Sequence, residues 1–127
     1  MSELVAAMPF AGRLGLRVEA ATKDEVRGEL EWAEELCTAG GVLHGGALMA
    51  AADSVGALCA FLNLPEGATT ATIESKTNFF RAVRGGHVEA VSRPLHVGRT
   101  SIVVQTRLAD AEGRAVAVVI QTQAVLT

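Results

Sequence analysis

The sequence predicts a single α+β domain spanning residues 1–127, in which an antiparallel β-sheet wraps around one long central α-helix. Three observations lead to this prediction. Half of the 127 residues are hydrophobic, which is enough for one packed core. The run from Gly45 to Leu62 is apolar on nearly every face, as expected for a buried helix. The other segments alternate apolar and polar residues between short turns, which is typical of antiparallel strands.

The alternating segments indicate where the strands lie. LRVEAAT at 16–22 and VRGELEW at 26–32 surround a Lys-Asp-Glu turn and are expected to form a hairpin. Pro94 has no N–H to donate, so its strand is expected at a sheet edge or to contain a bulge. The strands expected after the helix lie at 70–80, 87–97, 100–109 and 114–126.

Two further segments precede the long helix. A short helix is expected at 2–8, with Ser2 as its cap and Pro9 as its stop. The segment ELCTAGGVLHGG is rich in glycine and is expected to form a loop that leads into the long helix. A helix that is apolar all round must be covered all round, so we expect the sheet on one face and a second subunit on the other.

The composition excludes several classes of function. A net charge of −3, with four Phe and one Trp, argues against a nucleic-acid partner. Cys37 and Cys59 show neither metal-ligand spacing nor a disulfide framework, which favours a cytoplasmic protein. The stretch 47–64 approaches the length of a membrane span, but Asp53 and Gly56 interrupt it. No membrane partner is therefore expected.

Asp53 is the most unusual residue of the long helix. From Leu36 to Pro65 it is the only acidic residue, and the same stretch contains no Lys or Arg. Removing an ionised carboxylate from water is unfavourable unless it gains partners, so such a residue usually has a specific role. One role is catalytic. The alternative is a structural acid that accepts hydrogen bonds from Ser or Thr hydroxyls in the core.

The His-Gly-Gly sequence at the start of the helix is a second candidate site. The first N–H groups of a helix have no internal partner, and glycine lets a ligand oxygen approach them closely. Gly45 and Gly46 could therefore bind an anion or the oxyanion of a carbonyl under attack. The alternative is that the two glycines only permit a tight turn, and that His44 only caps the helix or packs in the core.

The spacing of these groups restricts how they can cooperate. His44 and Asp53 are nine residues apart, which places them roughly 13 Å apart along one helix and on opposite faces. They can act on one carbonyl only if antiparallel helices of two subunits bring them together, as in a two-fold homodimer with shared active sites. A triad of Cys37, His44 and Asp53 is disfavoured, because Cys37 has acidic neighbours and no cation to favour its thiolate.

The sequence GVLHGGALMAAAD, with Gly40 before it, resembles the hotdog-fold acyl-CoA thioesterases. The likeness is greatest to the phenylacetate-degradation group and the related 4-hydroxybenzoyl-CoA and menaquinone-pathway thioesterases. It implies a hotdog fold and homodimers that pair into a homotetramer. It also implies that Asp53 attacks the thioester or activates water, that Gly45 donates its N–H to the thioester oxygen, and that His44 orients the carbonyl or the leaving thiol.

The resemblance also identifies two polar residues. Thr72 aligns with a Ser or Thr that holds the hydrolytic water in some relatives. Thr38 stands where the family commonly has Asn or Gln, so the contact made there is expected to differ. The predicted reaction is hydrolysis of an aryl or medium-chain acyl-CoA to free acid and CoA, without metal or cofactor. Two alternatives stay open, a hotdog module that binds or senses acyl-CoA without hydrolysing it and a hotdog dehydratase or hydratase.

Basic residues are concentrated in the strands that follow the helix. Among them, Arg81, Arg84 and Arg99 lie near predicted turns and are expected to bind the phosphates of a CoA tail. Gly46 is expected to contribute to the same substrate site through the helix N-terminus. For any single arginine, the alternative is a solvated position on a strand face.

Overall fold

A computed structural model describes residues 2–127, except for the side chain of Ser2. Two short helices and a hairpin precede one long helix, and four long strands follow it. The helices are α1 Ser2–Ala6, α2 Pro9–Leu14 and α3 Gly45–Phe61, with a 3₁₀ turn at Glu34–Leu36. The strands are β1 Arg17–Ala21, β2 Val26–Glu31, β3 Thr69–Phe79, β4 His87–Val97, β5 Ser101–Asp110 and β6 Ala115–Leu126.

The strands form one six-stranded sheet in the order β1-β2-β4-β5-β6-β3. Every neighbouring pair in this order is antiparallel. Helix α3 carries the chain from β2 to the far edge of the sheet, where β3 pairs with β6. Because α3 contacts all six strands, the sheet curves around it. The predicted fold class, an antiparallel sheet wrapped around a central helix, is confirmed.

The core lies between α3 and the concave face of the sheet. On the helix, Ala51, Ala52 and Val55 are fully buried. On the sheet, aliphatic side chains at alternate positions of β2, β4, β5 and β6 are buried against the helix, among them Ile102 and Val104 of β5. Small residues on the helix and β-branched residues on the strands allow the two layers to pack closely. The core is almost entirely aliphatic, as the low aromatic content predicts.

The structure corrects the predicted start of the chain. The first helix ends at Ala6 rather than Met8, and Pro9 does not serve only as its stop, because it opens α2. Proline fits there because the first turn of a helix leaves its N–H groups unpaired. The predicted cap by the Ser2 side chain lies outside the described residues, although Ser2 itself is the first residue of α1.

Pro94 lies in an interior strand and marks a bulge. Strand β4 pairs with β2 on one side and β5 on the other, and its register with β5 shifts between Pro94 and His96. Pairing with β2 extends only to Ser92, so Pro94 is paired on its β5 side alone, next to the shift in register, and its missing N–H disturbs the sheet little. Of the two positions predicted for Pro94, an edge or a bulge, the bulge is confirmed. Among residues 2–127, no helix combines the length and the apolarity that a membrane crossing requires.

We expect Gly28→Ala to destabilise the fold. A Cβ at Gly28 on β2 would lie 2.9 Å from Cγ2 of Val55 and 3.2 Å from the Arg17 carbonyl oxygen, so the helix and sheet would have to separate. Overpacking of this kind lowers the free energy of unfolding by about 1–3 kcal/mol, which urea denaturation would measure.

Gly12→Ala is the matched control. Its Cβ would meet only Val5, at 4.0 Å, so alanine within α2 should be neutral or stabilising by about 0.5–1 kcal/mol. Equal midpoints for the Gly28→Ala variant and the wild type would show that the close approach of α3 to β2 is not a packing constraint.

Candidate active site

The start of α3 is capped by the side chain of His44. Its Nδ1 accepts a hydrogen bond from the Gly46 N–H at 2.7 Å, and its carbonyl oxygen accepts from the N–H groups of Ala47 and Leu48. The backbone of His44 is extended, with φ −62° and ψ 136°, as at other N-caps. Within residues 2–127 the N–H of Gly45 forms no hydrogen bond. One backbone donor at the helix N-terminus is therefore available to a ligand.

The cap determines how His44 can act. Because Nδ1 accepts a hydrogen bond, a neutral imidazole carries its proton on Nε2 and can donate from that atom. The side chain is exposed, so Nε2 can reach a ligand outside the helix. The capping role considered for His44 is therefore present, and it leaves the second nitrogen available for chemistry. The Gly46 N–H is already occupied by this cap, so the substrate contact predicted for Gly46 would have to displace His44.

A cavity of about 360 Å³ lies beside the Gly45 N–H. Phe79 covers one side of it so closely that a Cβ at Gly45 would lie 3.1 Å from the ring. Leu48 adds an apolar wall, and Thr38 and Arg81 contribute the polar groups that the sequence singled out. A side chain at position 45 would crowd the ring, which favours glycine there. The cavity joins an apolar space to one backbone donor and one cation.

Asp53 does not line this cavity. It belongs to a separate polar cluster formed with residues of β3 and β6. Its Oδ1 accepts hydrogen bonds from Thr72 Oγ1 at 2.8 Å and from Gln121 Nε2 at 2.9 Å. Its Oδ2 has no hydrogen-bond partner among the described residues. The side chain is only half-buried, so this second oxygen can be reached from outside the chain. The carboxylate is held at one oxygen and free at the other.

The contact between Thr72 and Asp53 brings together two residues that the sequence analysis selected. The same contact matches the structural alternative, an acid bonded to a Thr hydroxyl. Two glutamines of this cluster were missed. Gln121 and Gln123 lie on the core face of β6 and are 0 % and 1 % exposed. Their signal was present in the sequence, because amides at alternate positions interrupt the apolar face of that strand.

In a single chain the predicted site residues are not all brought together. Thr38, Gly45 and Arg81 line one cavity, whereas Asp53 lies further along α3, in contact with Thr72 of β3. Arg84 donates to the Gly40 carbonyl oxygen at 3.2 Å and lines a different cavity of about 320 Å³. Arg99 lies in the turn between β4 and β5. The three arginines selected for phosphate binding therefore occupy three separate places on one protomer.

The cysteines do not form a nucleophilic site with His44. The Cys37 thiol donates to the Ala33 carbonyl oxygen at 3.4 Å, while His44 Nδ1 is engaged by Gly46. Burial, with a smaller contribution from the charge of Asp24, raises the pKa of the Cys59 thiol to about 11. The described residues contain no cluster of three or more His, Cys, Asp or Glu side chains that could hold a metal ion.

Residues 40–117, which include the helix and most of the sheet, match the family model of the thioesterase superfamily. The chain belongs to this superfamily. The matched region contains Gly45, Asp53 and Thr72, so both parts of the candidate site lie within it. The resemblance seen in the sequence is thus confirmed for the hotdog thioesterases as a family, while the phenylacetate-degradation subtype stays a prediction.

Individual thioesterases support the assignment along nearly the whole chain. The crystal structure of a Pseudomonas aeruginosa thioesterase mutant is 29 % identical with a TM-score of 0.93, covering 98 % of this chain and 92 % of that one. A Haemophilus influenzae thioesterase is 30 % identical with a TM-score of 0.89, covering 93 % and 82 %. The proofreading thioesterase EntH of Cronobacter sakazakii is 36 % identical over 74 residues, which are 58 % of this chain and 54 % of the relative. The protein is a thioester hydrolase of the hotdog type.

We expect His44→Ala to destabilise the start of α3. Alanine removes the acceptor of the Gly46 N–H, and loss of an N-cap lowers the free energy of unfolding by about 0.5–2 kcal/mol. His44→Asn should restore much of that stability, because asparagine is a good N-cap residue. Chemical denaturation of both variants would measure the difference. Equal destabilisation by alanine and asparagine would contradict the capping role.

Proposed function

We propose that this thioesterase hydrolyses an aryl or medium-chain acyl-CoA to the free acid and CoA, with Asp53 as nucleophile or general base. One observation carries the proposal. Asp53 is the only acid on an otherwise apolar helix, and it is bonded through Oδ1 alone, which leaves Oδ2 able to react. The side chain is half-buried, which leaves that oxygen accessible to a substrate. The superfamily assignment supports thioester hydrolysis as the reaction.

In the proposed mechanism, the start of α3 binds the thioester oxygen, and Asp53 acts at the carbonyl carbon. The thioester oxygen accepts from the Gly45 N–H, which stabilises negative charge as the carbonyl carbon becomes tetrahedral. Asp53 Oδ2 either attacks that carbon or removes a proton from an attacking water. The carbon–sulfur bond then breaks, and CoA leaves as its thiolate and takes up a proton. If Asp53 attacked the carbon, water hydrolyses the resulting mixed anhydride, which releases the free acid and restores the carboxylate. If Asp53 activated the water, the free acid is released directly. His44 Nε2–H orients the carbonyl or the departing sulfur, and Thr72 helps to hold the water.

Thr38 takes part in this proposal as a weaker polar group. It lines the same cavity as Gly45, and its side chain is exposed. A threonine hydroxyl is shorter than the amide common in the family, so its contact with the thioester is either lost, moved or made through a water molecule.

Two subunits are required for this mechanism. His44 and Asp53 are roughly 13 Å apart on one helix, so the α3 helices of two protomers must lie antiparallel to form a site. The surface around α3 and β3 favours such contact. Strand β3 is an open edge of the sheet, and Phe61 and Ile73 on this side are 54 % and 64 % exposed. We therefore propose a homodimer with shared active sites, and a homotetramer formed by two such dimers.

Arg81 is the best placed of the three predicted phosphate ligands. It lines the cavity next to Gly45, so a CoA tail that leaves this cavity would pass its guanidinium. Arg84 and Arg99 could bind phosphate only if the tail follows the surface towards them or reaches them on the second subunit. No nucleic acid or membrane is proposed as a partner. A cytoplasmic location is proposed from the two free cysteines.

The second candidate function is a hotdog module that binds acyl-CoA without hydrolysis. Thr38 is the observation that favours it, because the amide expected near the thioester is absent. Saturable acyl-CoA binding by the wild type without release of thiol would support this alternative.

We expect Asp53→Asn to abolish most of the activity while the fold is preserved. Asparagine retains a carbonyl oxygen that can accept from Thr72 and Gln121, but it can act neither as a base nor as an effective nucleophile. The turnover number should fall by about 10²–10⁴-fold. Thiol release from aryl- and fatty acyl-CoAs would measure this loss, with thermal unfolding as the control for folding. Equal turnover by both proteins would contradict a catalytic Asp53.

Mixing variants tests the shared site. If His44 of one subunit works with Asp53 of the other, dimers that combine His44→Ala with Asp53→Asn contain one intact site. The two defective variants would be purified separately, and thiol release would be assayed before and after they are mixed and refolded together. Refolding together should restore about a quarter of wild-type activity, because roughly half of random dimers are mixed. No recovery would indicate that each site is built from a single chain.

A further inference from the structure

A row of hydrogen-bonded polar side chains, of which Gln121 and Gln123 are buried, runs from the open edge of the sheet to Asp53. Thr70 Oγ1 donates to the Ala124 carbonyl oxygen at 2.7 Å, and Gln123 Nε2 donates to Thr70 Oγ1 at 3.1 Å. Gln121 Nε2 then donates to Gln123 Oε1 at 3.0 Å and to Asp53 Oδ1 at 2.9 Å. The row joins β3 and β6 to α3, and it borders a core that is mostly aliphatic.

The direction of every bond in this row follows from its first member. A backbone carbonyl can only accept, so the single proton of Thr70 must point to Ala124. Thr70 can then only accept from Gln123, which requires the Gln123 amide nitrogen on that side and its oxygen on the other. That oxygen faces Gln121 and requires a donor there. Both protons of Gln121 Nε2 are thus directed outward, one to Gln123 and one to Asp53.

The opposite orientation of Gln121 is blocked. Reversing its amide would place Oε1 against two acceptors, Asp53 Oδ1 and Gln123 Oε1. In the observed orientation Oε1 has no hydrogen-bond partner although it is buried. It fits only because position 56 is glycine, since a Cβ there would lie 2.1 Å from Oε1. An unpaired buried acceptor is destabilising, so a role in holding Asp53 would account for it.

Thr72 has only one proton to donate, whereas the Gln121 amide has two. The Thr72 proton can go to Asp53 Oδ1 at 2.8 Å or to Gln123 Oε1 at 2.6 Å, and it cannot go to both. Gln121 has a proton for each acceptor. Thr72 is therefore the adjustable contact of Asp53, and Gln121 is the fixed one.

We propose that Gln121 is a positioning residue for the thioesterase reaction. Its amide, oriented by Gln123 and Thr70, holds Oδ1 of Asp53 and so directs Oδ2 to the thioester or to the attacking water. The donor is oriented before substrate binds, because the Ala124 carbonyl sets the direction of the whole row independently of Asp53. Preorganised donors of this kind need no rearrangement during the reaction. The inference rests on the proposed function, in which Asp53 is the reacting carboxylate.

Gln121→Leu tests the inference directly. Leucine has a similar size but no donor, and Gln121 is fully buried, so it does not touch substrate. We expect the turnover number to fall by about 10–100-fold, as for loss of one hydrogen bond to a charged group, with little change in KM. Ser92→Ala is the control, because Ser92 is an equally buried polar residue whose hydroxyl pairs with Thr106 rather than with this row. The control should lose stability and keep its turnover number.

A second pair of variants examines the direction of the row. Thr70→Val removes the hydroxyl that orients Gln123 and should lower the turnover number, whereas Thr70→Ser keeps the hydroxyl and should restore it. This pair also answers the question if the leucine variant does not fold. Wild-type turnover numbers in Gln121→Leu or in Thr70→Val would overturn the inference. If Asp53→Asn is fully active, the proposed function itself fails. If that variant is inactive while Gln121→Leu is not, only the inference fails.

Discussion

The packing of α3 into the curve of the sheet is the interaction on which the rest of the structure depends. Helix α3 contacts every strand, and the side chains at its centre are alanines and Val55 with no exposed surface. Each fully buried aliphatic side chain of the Val or Leu class contributes about 1.5–3 kcal/mol through its removal from water. Because the helix has small residues, it packs close to the strands, and this packing fixes the position of the groups that it carries. A site built on such a helix is rigid before any ligand arrives.

The same packing explains how a carboxylate can stand on an apolar helix. The concave face that covers α3 is aliphatic along most of its length, but at β3 and β6 it presents Thr72 and Gln121. These donors replace part of the water that Asp53 loses. Thr72 and Gln121 thus lie opposite Asp53, and together they have two effects. They stabilise the charge, and they divide the carboxylate into a bound oxygen and an accessible one.

Much of this arrangement could be predicted because the periodic signals are strong. The long helix begins at Gly45 as predicted and ends at Phe61, one residue before the predicted end. The strands follow their alternation closely, and the bulge at Pro94 follows from its missing N–H. Local rules were less reliable at Pro9, since a proline that ends one helix can equally begin another.

The unpredicted parts depend on long-range contacts. The position of β3 beside β6 results from the course of α3 across the sheet, and no turn signal encodes it. The hydrogen bond from Gln121 to Asp53 joins residues 68 positions apart, so nothing local relates the two. Arg81, Arg84 and Arg99 lie apart from one another for a similar reason. Closeness in sequence near turns does not place side chains on one side of a sheet. Only the groups on α3 itself could be related to one another by helix geometry alone.

The missing side chain at Gly56 gives a criterion for sorting relatives of this protein. Position 56 and position 121 share one small volume, in which the amide of Gln121 occupies the space of a Cβ. A relative with a larger residue at position 56 must have a shorter one at position 121, and it must then hold the acid of its long helix by other means. The two positions should therefore covary across an alignment. Members that keep the Gly–Gln combination would form a group with one way of orienting the acid, whatever acyl chains they accept.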